Sequence, residues 1–288
     1  MQHVAFFGIG NMGFPMALNL IRAGYQVHIA PHRGHSDALR QLNICGACLH
    51  EDKYSMVSQA DVIVSIVSDD MAVRDIFLNE DMRKAIPRGC IIIEMTTCSP
   101  DIVIELAEYY AQRNVHILDA PVTGAKQKAM EGTLTVMGAG DPADFQKADG
   151  VLHAMASKIF QLGELGNGKL VKAMTNLLGA INLAAVGEFY RFAESMHLDM
   201  NLLSEITHVS AGGSIQFSRN FEKIVSGNFS PAFSLKLMRK DMGIALSCAN
   251  NIPDLHMPLA ETAYGLYARA SHLDEADCSA IACIDSLA

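Results

Sequence analysis

Apolar and polar positions along the first 120 residues alternate between short apolar runs and longer amphipathic stretches. Val4-Ala5-Phe6-Phe7 is a compact apolar run that reads as a buried strand. Phe14 to Ala23 reads as a helix, with Pro15 in its first turn, where a missing N–H costs little. Gly24 stops that helix, and Tyr25 to Ala30 reads as a second strand. Asp61 to Val67 (DVIVSIV) and Cys90 to Met95 (CIIIEM) are rich in β-branched residues, as expected of parallel strands buried on both faces. Between them Met71 to Ala85 predicts one crossover helix, closed by Pro87-Arg88-Gly89. Pro100 to Asn114 predicts the next helix and Val115 to Asp119 the next strand. Such alternation predicts an α/β fold with a doubly wound, Rossmann-type parallel sheet. Thr133 to Gly138 and Lys158 to Leu162 are expected to be the last strands of this domain.

The pattern changes near Gly163. From Gly168 to about His197 there is no proline and little charge, and apolar residues cover almost every side of a helix. A helix apolar all round is expected to be buried on all sides, and this one would be on the order of 40 Å long. It reads as a long connecting helix wrapped by a second domain or a partner subunit. The remainder is helical in pattern, with breaks at Gly212-Gly213, at Gly227 to Pro231 and at Asn250 to Pro253. The expected organisation is a dinucleotide-binding domain over 1–163 and an all-helical domain over 164–288, the latter beginning with the long helix.

Between the first strand and the first helix lies Gly8-Ile9-Gly10-Asn11-Met12-Gly13. In the order strand, G-x-G-x-x-G, helix, strand, each glycine has a physical role. The first makes the tight turn, the second lets the backbone approach a pyrophosphate, and the third packs helix on strand. The helix N-terminus supplies free N–H groups and a partial positive charge. A dinucleotide is therefore expected here. In such sheets ligands collect beyond the C-terminal strand ends. That directs attention to Val67-Ser68-Asp69, to Thr96 through Pro100, and to Ala120 through Gly124. After the second strand the chain reads Ile29-Ala30-Pro31-His32-Arg33, with no acid to hold a ribose 2′-hydroxyl and a guanidinium suited to a 2′-phosphate. NADP is therefore expected in preference to NAD.

Composition narrows the function classes. Half of the 288 residues are hydrophobic, enough for a large core, and the net charge of −9 with scattered basic residues argues against nucleic acid. The apolar start runs straight into the glycine motif, so no signal peptide or membrane span is expected, and a cytoplasmic protein is. Seven cysteines, an odd number, suggest reduced thiols. Cys45-Gly46-Ala47-Cys48 has no second pair and reads as small residues packed in a loop, and the 11 histidines show no ligand spacing, so no metal site is expected.

Lys172 and Asn176 share one face of the long helix, four residues apart. Lys172 is either a solvated lysine or a general acid/base, and its apolar neighbours favour the second, because an unpaired buried lysine is costly. Lys169, nearer the helix start, reads as the solvated one.

Four motifs in order are similar to those of the β-hydroxyacid dehydrogenases. They are the glycine motif with Met12, Asp119-Ala120-Pro121-Val122-Thr123-Gly124, Gly168-Lys169-Leu170-Val171-Lys172, and Lys240-Asp241. The resemblance covers essentially the whole chain. It implies hydride transfer between a nicotinamide cofactor and small 3-hydroxy acids or their aldehydes, with 3-hydroxyisobutyrate and tartronate semialdehyde as types. It further implies Lys172 as the catalytic lysine and Asn176 as an amide facing the substrate. Thr123, Gly124 and Ala125 fall at the substrate carboxylate. Gly8 through Gly13, Val67, Ser68, Thr97 and Lys240 fall beside the cofactor, with Arg33 the expected phosphate contact. Departures from the family pattern are Thr123 for serine, Ala125 for a second loop glycine, Thr175 for asparagine and Ser68 for proline. An imine reductase or a non-catalytic NADP-binding interaction protein are the alternatives, and Lys172 counts against both. The apolar helix suggests a homodimer or homotetramer.

Overall fold

The computed structural model describes residues 2–31 and 36–287. The chain divides into two compact units, Met1–Lys172 and Ala173–Ala288. The first unit holds a parallel sheet of β1 (His3–Phe7), β2 (Gln26–Ile29), β3 (Cys48–Leu49), β4 (Val62–Ser65), β5 (Ile91–Glu94) and β6 (His116–Asp119). The strands lie in the order β3-β2-β1-β4-β5-β6. Chain direction away from the centre reverses between β1 and β4, which is the switch point where a doubly wound sheet opens a crevice at its carboxyl edge. Strand cores are apolar on both faces, as the β-branched runs require. Val4, Phe6, Val62, Val64, Ile91 and Ile93 pack with α1 (Gly13–Arg22) and α2 (Ser36–Ile44), whereas Ala5, Ile63 and Ile92 pack with α3 (Lys53–Val57) and α6 (Pro100–Tyr110).

The stretch expected as one crossover helix is two, α4 (Asp70–Phe77) and α5 (Glu80–Ala85). The break falls at Asn79, whose side chain accepts the N–H of Met82 and so starts a new helix rather than continuing the old one. Cys48 belongs to an edge strand, not to a loop, and its sulfur accepts from the Gln26 side chain. Thr133–Gly138 and Lys158–Leu162 do carry the last strands of the first unit, but not in the main sheet. Their strands, β8 (Leu134–Gly138) and β9 (Ala156–Gln161), form a separate three-stranded sheet with β7 (Val122–Thr123). The pair β8–β9 is parallel because α8 (Pro142–Met155) crosses between them.

The second unit is helical. The helix α9 (Asn167–Ser195) begins in the first unit and continues into the second, where α10 (Met200–His208), α11 (Ile215–Ser226), α12 (Leu235–Asn250) and α13 (Pro258–Arg269) follow. Helix ends coincide with the expected breaks. In length and composition α9 could cross a membrane. Instead Ala173, Leu177, Ala180, Leu183 and Ala184 pack in the unit's core with Phe217, Phe221 and Met242. The buried Tyr267 hydroxyl donates to the Ala180 carbonyl. Burial on all sides does not hold within the chain: Met174, Leu178 and Phe192 are 55%, 59% and 70% exposed. Only one stripe of α9 faces the core, so its uniform apolarity overstated its burial.

A polar feature crosses the β1–β2–β3 side of the sheet. His3, His28 and His50 form a chain, with His3 Nδ1 2.9 Å from His28 Nε2 and His28 Nδ1 2.8 Å from His50 Nε2. Burial first, then His50 and His3, hold His28 down at about 4. The fold therefore favours neutral His28, while the unfolded chain takes a proton near pH 6.5. Stability should be full above pH 6.5 and fall as pH drops from 6.5 towards 4. Denaturant titrations at stepped pH should show that slope, and His28→Gln should flatten it.

Candidate active site

The glycine turn has the geometry its sequence demands. Gly8 has φ +91°, and a Cβ there would lie 1.9 Å from the Ile66 carbonyl oxygen. A Cβ on Gly13 would lie 1.8 Å from the Gly8 carbonyl oxygen, so helix and strand meet backbone to backbone. Gly10 differs, with no atom within 4 Å of a Cβ built on it. Its absent side chain thus serves no internal packing and leaves the backbone open to a ligand. Helix α1 begins directly after, with no side chain capping its first N–H groups. Ile9 is buried and Asn11 exposed, with Gly10 and Met12 between. This turn fits a pyrophosphate: open backbone and the positive end of a helix.

Around the turn, the carboxyl ends of β4 and β5 are tied together. The Val67 N–H donates to Thr96 Oγ1 at 3.0 Å. Ser68 is exposed, and Thr97 is half-buried beside the fully buried Thr96. Arg33 lies outside the described residues.

Beyond β6 the chain turns through Thr123, Gly124 and Ala125. Gly124 has φ +143°, and a Cβ there would lie 2.9 Å from Lys128 Cβ. Ala125 opens α7 (Ala125–Glu131) in the left-handed region, at φ +58°. That conformation is strained for a residue bearing a Cβ, and it sits where the family pattern has glycine. Thr123 and Ala125 are exposed, so the turn offers its hydroxyl and backbone to solvent.

Lys172 is 9% exposed, in agreement with the reading of a lysine set among apolar neighbours. Lys169 contradicts expectation: it is not solvated but wholly buried. Its Nζ lies 2.6 Å from Glu94 Oε2 and 3.4 Å from Asp119 Oδ1, and donates to the Glu94 carbonyl oxygen at 2.8 Å. The two carboxylates raise the lysine's pKa against the opposing effect of burial. Burial in turn pushes Asp119 up, partly offset by Lys169. Sequence reasoning missed this cluster, although it left a signal. Two strands, Ile91–Glu94 and His116–Asp119, end in an acid, and paired strands place those acids side by side.

In the second unit, the half-buried Asn176 donates to Asp241 Oδ2 at 2.6 Å, and Lys240 Nζ lies 3.2 Å from Asp241 Oδ1. Asp241 is 2% exposed and joins the two residues singled out by sequence, a role not anticipated for it. Among the described residues no group of acidic, histidine and cysteine side chains could hold a metal.

Two family models cover the chain. One, the NAD-binding domain of 6-phosphogluconate dehydrogenase, matches residues 3–163. The other, described as NAD-binding of NADP-dependent 3-hydroxyisobutyrate dehydrogenase, matches residues 166–284. The chain belongs to the β-hydroxyacid dehydrogenase family. This member is 30% identical to L-threonate dehydrogenase of Pectobacterium atrosepticum, across 93% of this chain and 88% of that one. It is 30% identical to human cytokine-like nuclear factor N-PAC over 96% of this chain but only 50% of that protein. Among solved structures, 3-hydroxyisobutyrate dehydrogenase from Salmonella typhimurium superposes with a TM-score of 0.89 at 27% identity, covering 99% of this chain and 100% of that one. Imine reductase from Myxococcus stipitatus, at 17% identity and a TM-score of 0.61, shares the fold alone. Family membership makes this dehydrogenase an NAD(P)-binding oxidoreductase.

The open face of Gly10 separates folding from binding. Gly10→Ala should leave the thermal midpoint unchanged while weakening NADPH binding by roughly tenfold, about 1.4 kcal/mol. Calorimetry together with NADPH fluorescence titration checks both halves. Gly8→Ala, by contrast, should destabilise the fold.

Proposed function

We propose that this dehydrogenase interconverts a compact 3-hydroxy acid and its aldehyde, with Lys172 as the proton-transfer group. The observation that carries the reading is Lys172 itself. It is a buried lysine on α9, within the family's Gly-x-x-x-Lys pattern, in the same unit as the glycine turn. A nicotinamide bound at this turn would supply the hydride chemistry. Lys172 takes the hydroxyl proton during oxidation and gives it back during reduction. Gly8 to Gly13 would hold the pyrophosphate, with Val67, Ser68 and Thr97 beside it. Within the second unit Asp241 holds both Asn176 and Lys240, and their substrate-side and cofactor-side roles are proposed from the family pattern alone.

The substrate's carboxylate is proposed to lie at the Thr123-Gly124 turn, held by backbone N–H groups and the Thr123 hydroxyl rather than by an arginine. The methyl groups of Thr123 and Ala125 narrow this place compared with a Ser-Gly-Gly turn. Acids of three to about five carbons therefore suit it, of the 3-hydroxyisobutyrate or tartronate semialdehyde type. The relatives' names, which include L-threonate and 3-hydroxyisobutyrate, support small hydroxy acids as the class. NADP is proposed as the preferred cofactor, from Arg33 and the lack of an acid after β2. The site is proposed to work in the cytoplasm, in a homodimer or homotetramer.

Positioned proton transfer contributes roughly 10²–10⁴-fold, so Lys172→Ala should lose about that much kcat while NADPH affinity stays near wild type. A folded variant that keeps kcat refutes the assignment. Steady-state comparison of the two cofactors in wild type and Arg33→Ala should show NADP preference that the substitution erodes. Converting the substrate acid to its amide should cost kcat/KM at least about a hundredfold, because the turn's donors lose their charged partner. Equal rates for acid and amide would remove the carboxylate from this turn.

A further inference from the structure

Lys169 spends a buried charge where a neutral residue would suffice to continue a helix. Replacing a buried ion pair with apolar residues of similar volume is often neutral or stabilising, so stability alone gives no reason for such a cluster. Its connections do. Asp119 Oδ2 accepts the N–H groups of Gly166 and Lys169 at 3.1 and 3.0 Å, and so holds the start of α9. Gly168 lies so close that a Cβ would be 2.5 Å from the Met137 carbonyl oxygen and 2.8 Å from Asp119 Cγ. Glu94 Oε1 accepts the Thr96 hydroxyl at 2.5 Å, and the Thr96 oxygen accepts the Val67 N–H. Lys169 Nζ, 2.6 Å from Glu94 and 3.4 Å from Asp119, is the cation common to both branches. One branch reaches Val67 and the segment carrying Thr97, and the other reaches the turn of α9 that carries Lys172. Residues three apart on a helix lie on neighbouring turns of one face, so seating Lys169 fixes the rotation at which Lys172 leaves the helix.

We propose that Lys169 is a positioning residue. Together with Glu94 and Asp119 it locks the first turn of α9, and with it Lys172, to the strand ends that carry the cofactor contacts. This rests on the reading of Lys172 as the proton-transfer group, and Lys172→Ala run in parallel separates the two claims.

The test uses the full chain with Lys169→Met, Lys169→Arg and the paired Lys169→Met/Glu94→Gln. Probes are NADPH, NADP⁺ and the two acids 3-hydroxyisobutyrate and L-threonate. In cofactor-free protein, the rate of Lys172 acetylation by acetic anhydride is followed against pH by mass spectrometry. Lys169→Met should lower kcat by about tenfold or more, since small misplacements near the reacting atoms cost that much, with KM within about threefold. It should also change the Lys172 acetylation profile. Removing both partners, which leaves no lone Glu94 charge, should recover the thermal midpoint without recovering kcat or the acetylation profile. Lys169→Arg should recover part of kcat. If Lys169→Met does not fold, the paired variant decides. Wild-type kcat and Lys172 acetylation in Lys169→Met overturn the proposal, as does recovery of kcat in step with stability in the paired variant. Loss of kcat in Lys172→Ala alone overturns this proposal and spares the catalytic reading. Unchanged kcat in Lys172→Ala overturns that reading, and the acetylation profile then judges Lys169 without it.

Discussion

Two carboxylates end neighbouring strands, and one buried lysine reaches both. Paired in register, Glu94 and Asp119 leave the sheet side by side, and like charges so placed in a dry interior repel unless a cation joins them. Lys169 is that cation, and its backbone is itself held by Asp119. The cluster thus binds sheet to helix through charge, in a direction-dependent way that apolar contacts lack. The other parts of the first unit's chemistry hang from this join. The Val67–Thr96 bond sets the ends of β4 and β5 against each other, and Lys172 follows one turn along α9.

The glycine turn obeys a different constraint. At Gly8 and Gly13 the backbone is packed too closely for any side chain, whereas Gly10 faces open space. The first two serve the fold, and the third leaves its stretch of backbone uncovered. The Thr123–Ala125 turn repeats the theme with a departure. Gly124 has no room for a Cβ, and Ala125 carries one in a strained conformation. The strain falls at the place proposed for the substrate carboxylate, where the methyl group bears on which acids fit.

Much of this was legible in the sequence. Strand and helix alternation, the order around the glycines and the helical second half all rest on local periodicity and turn chemistry, which the structure respects. The misses have physical causes. Asn79 divided a helix because a side-chain cap competes with helix continuation. The separate sheet of β8 and β9 was not foreseen, because an apolar pattern marks a strand without naming its partner. Lys169 was misread because burial of a charge depends on residues some fifty and seventy-five positions earlier in the chain, which no window around it contains. Asp241 was passed over for the same reason, its partner Asn176 being sixty-five positions away. Apolarity around α9 was read as burial, while Met174, Leu178 and Phe192 remain exposed within the chain.

The proposed function makes this member of the family a working dehydrogenase of compact 3-hydroxy acids. The most direct measurement is NADP⁺ reduction by the wild-type protein across a panel of three- to six-carbon hydroxy acids, with NADPH binding measured on the same preparation. Tight cofactor binding and turnover concentrated on the smallest 3-hydroxy acids are expected. Cofactor binding without turnover of any acid in the panel, or a clear preference for six-carbon sugar acids, would contradict that function.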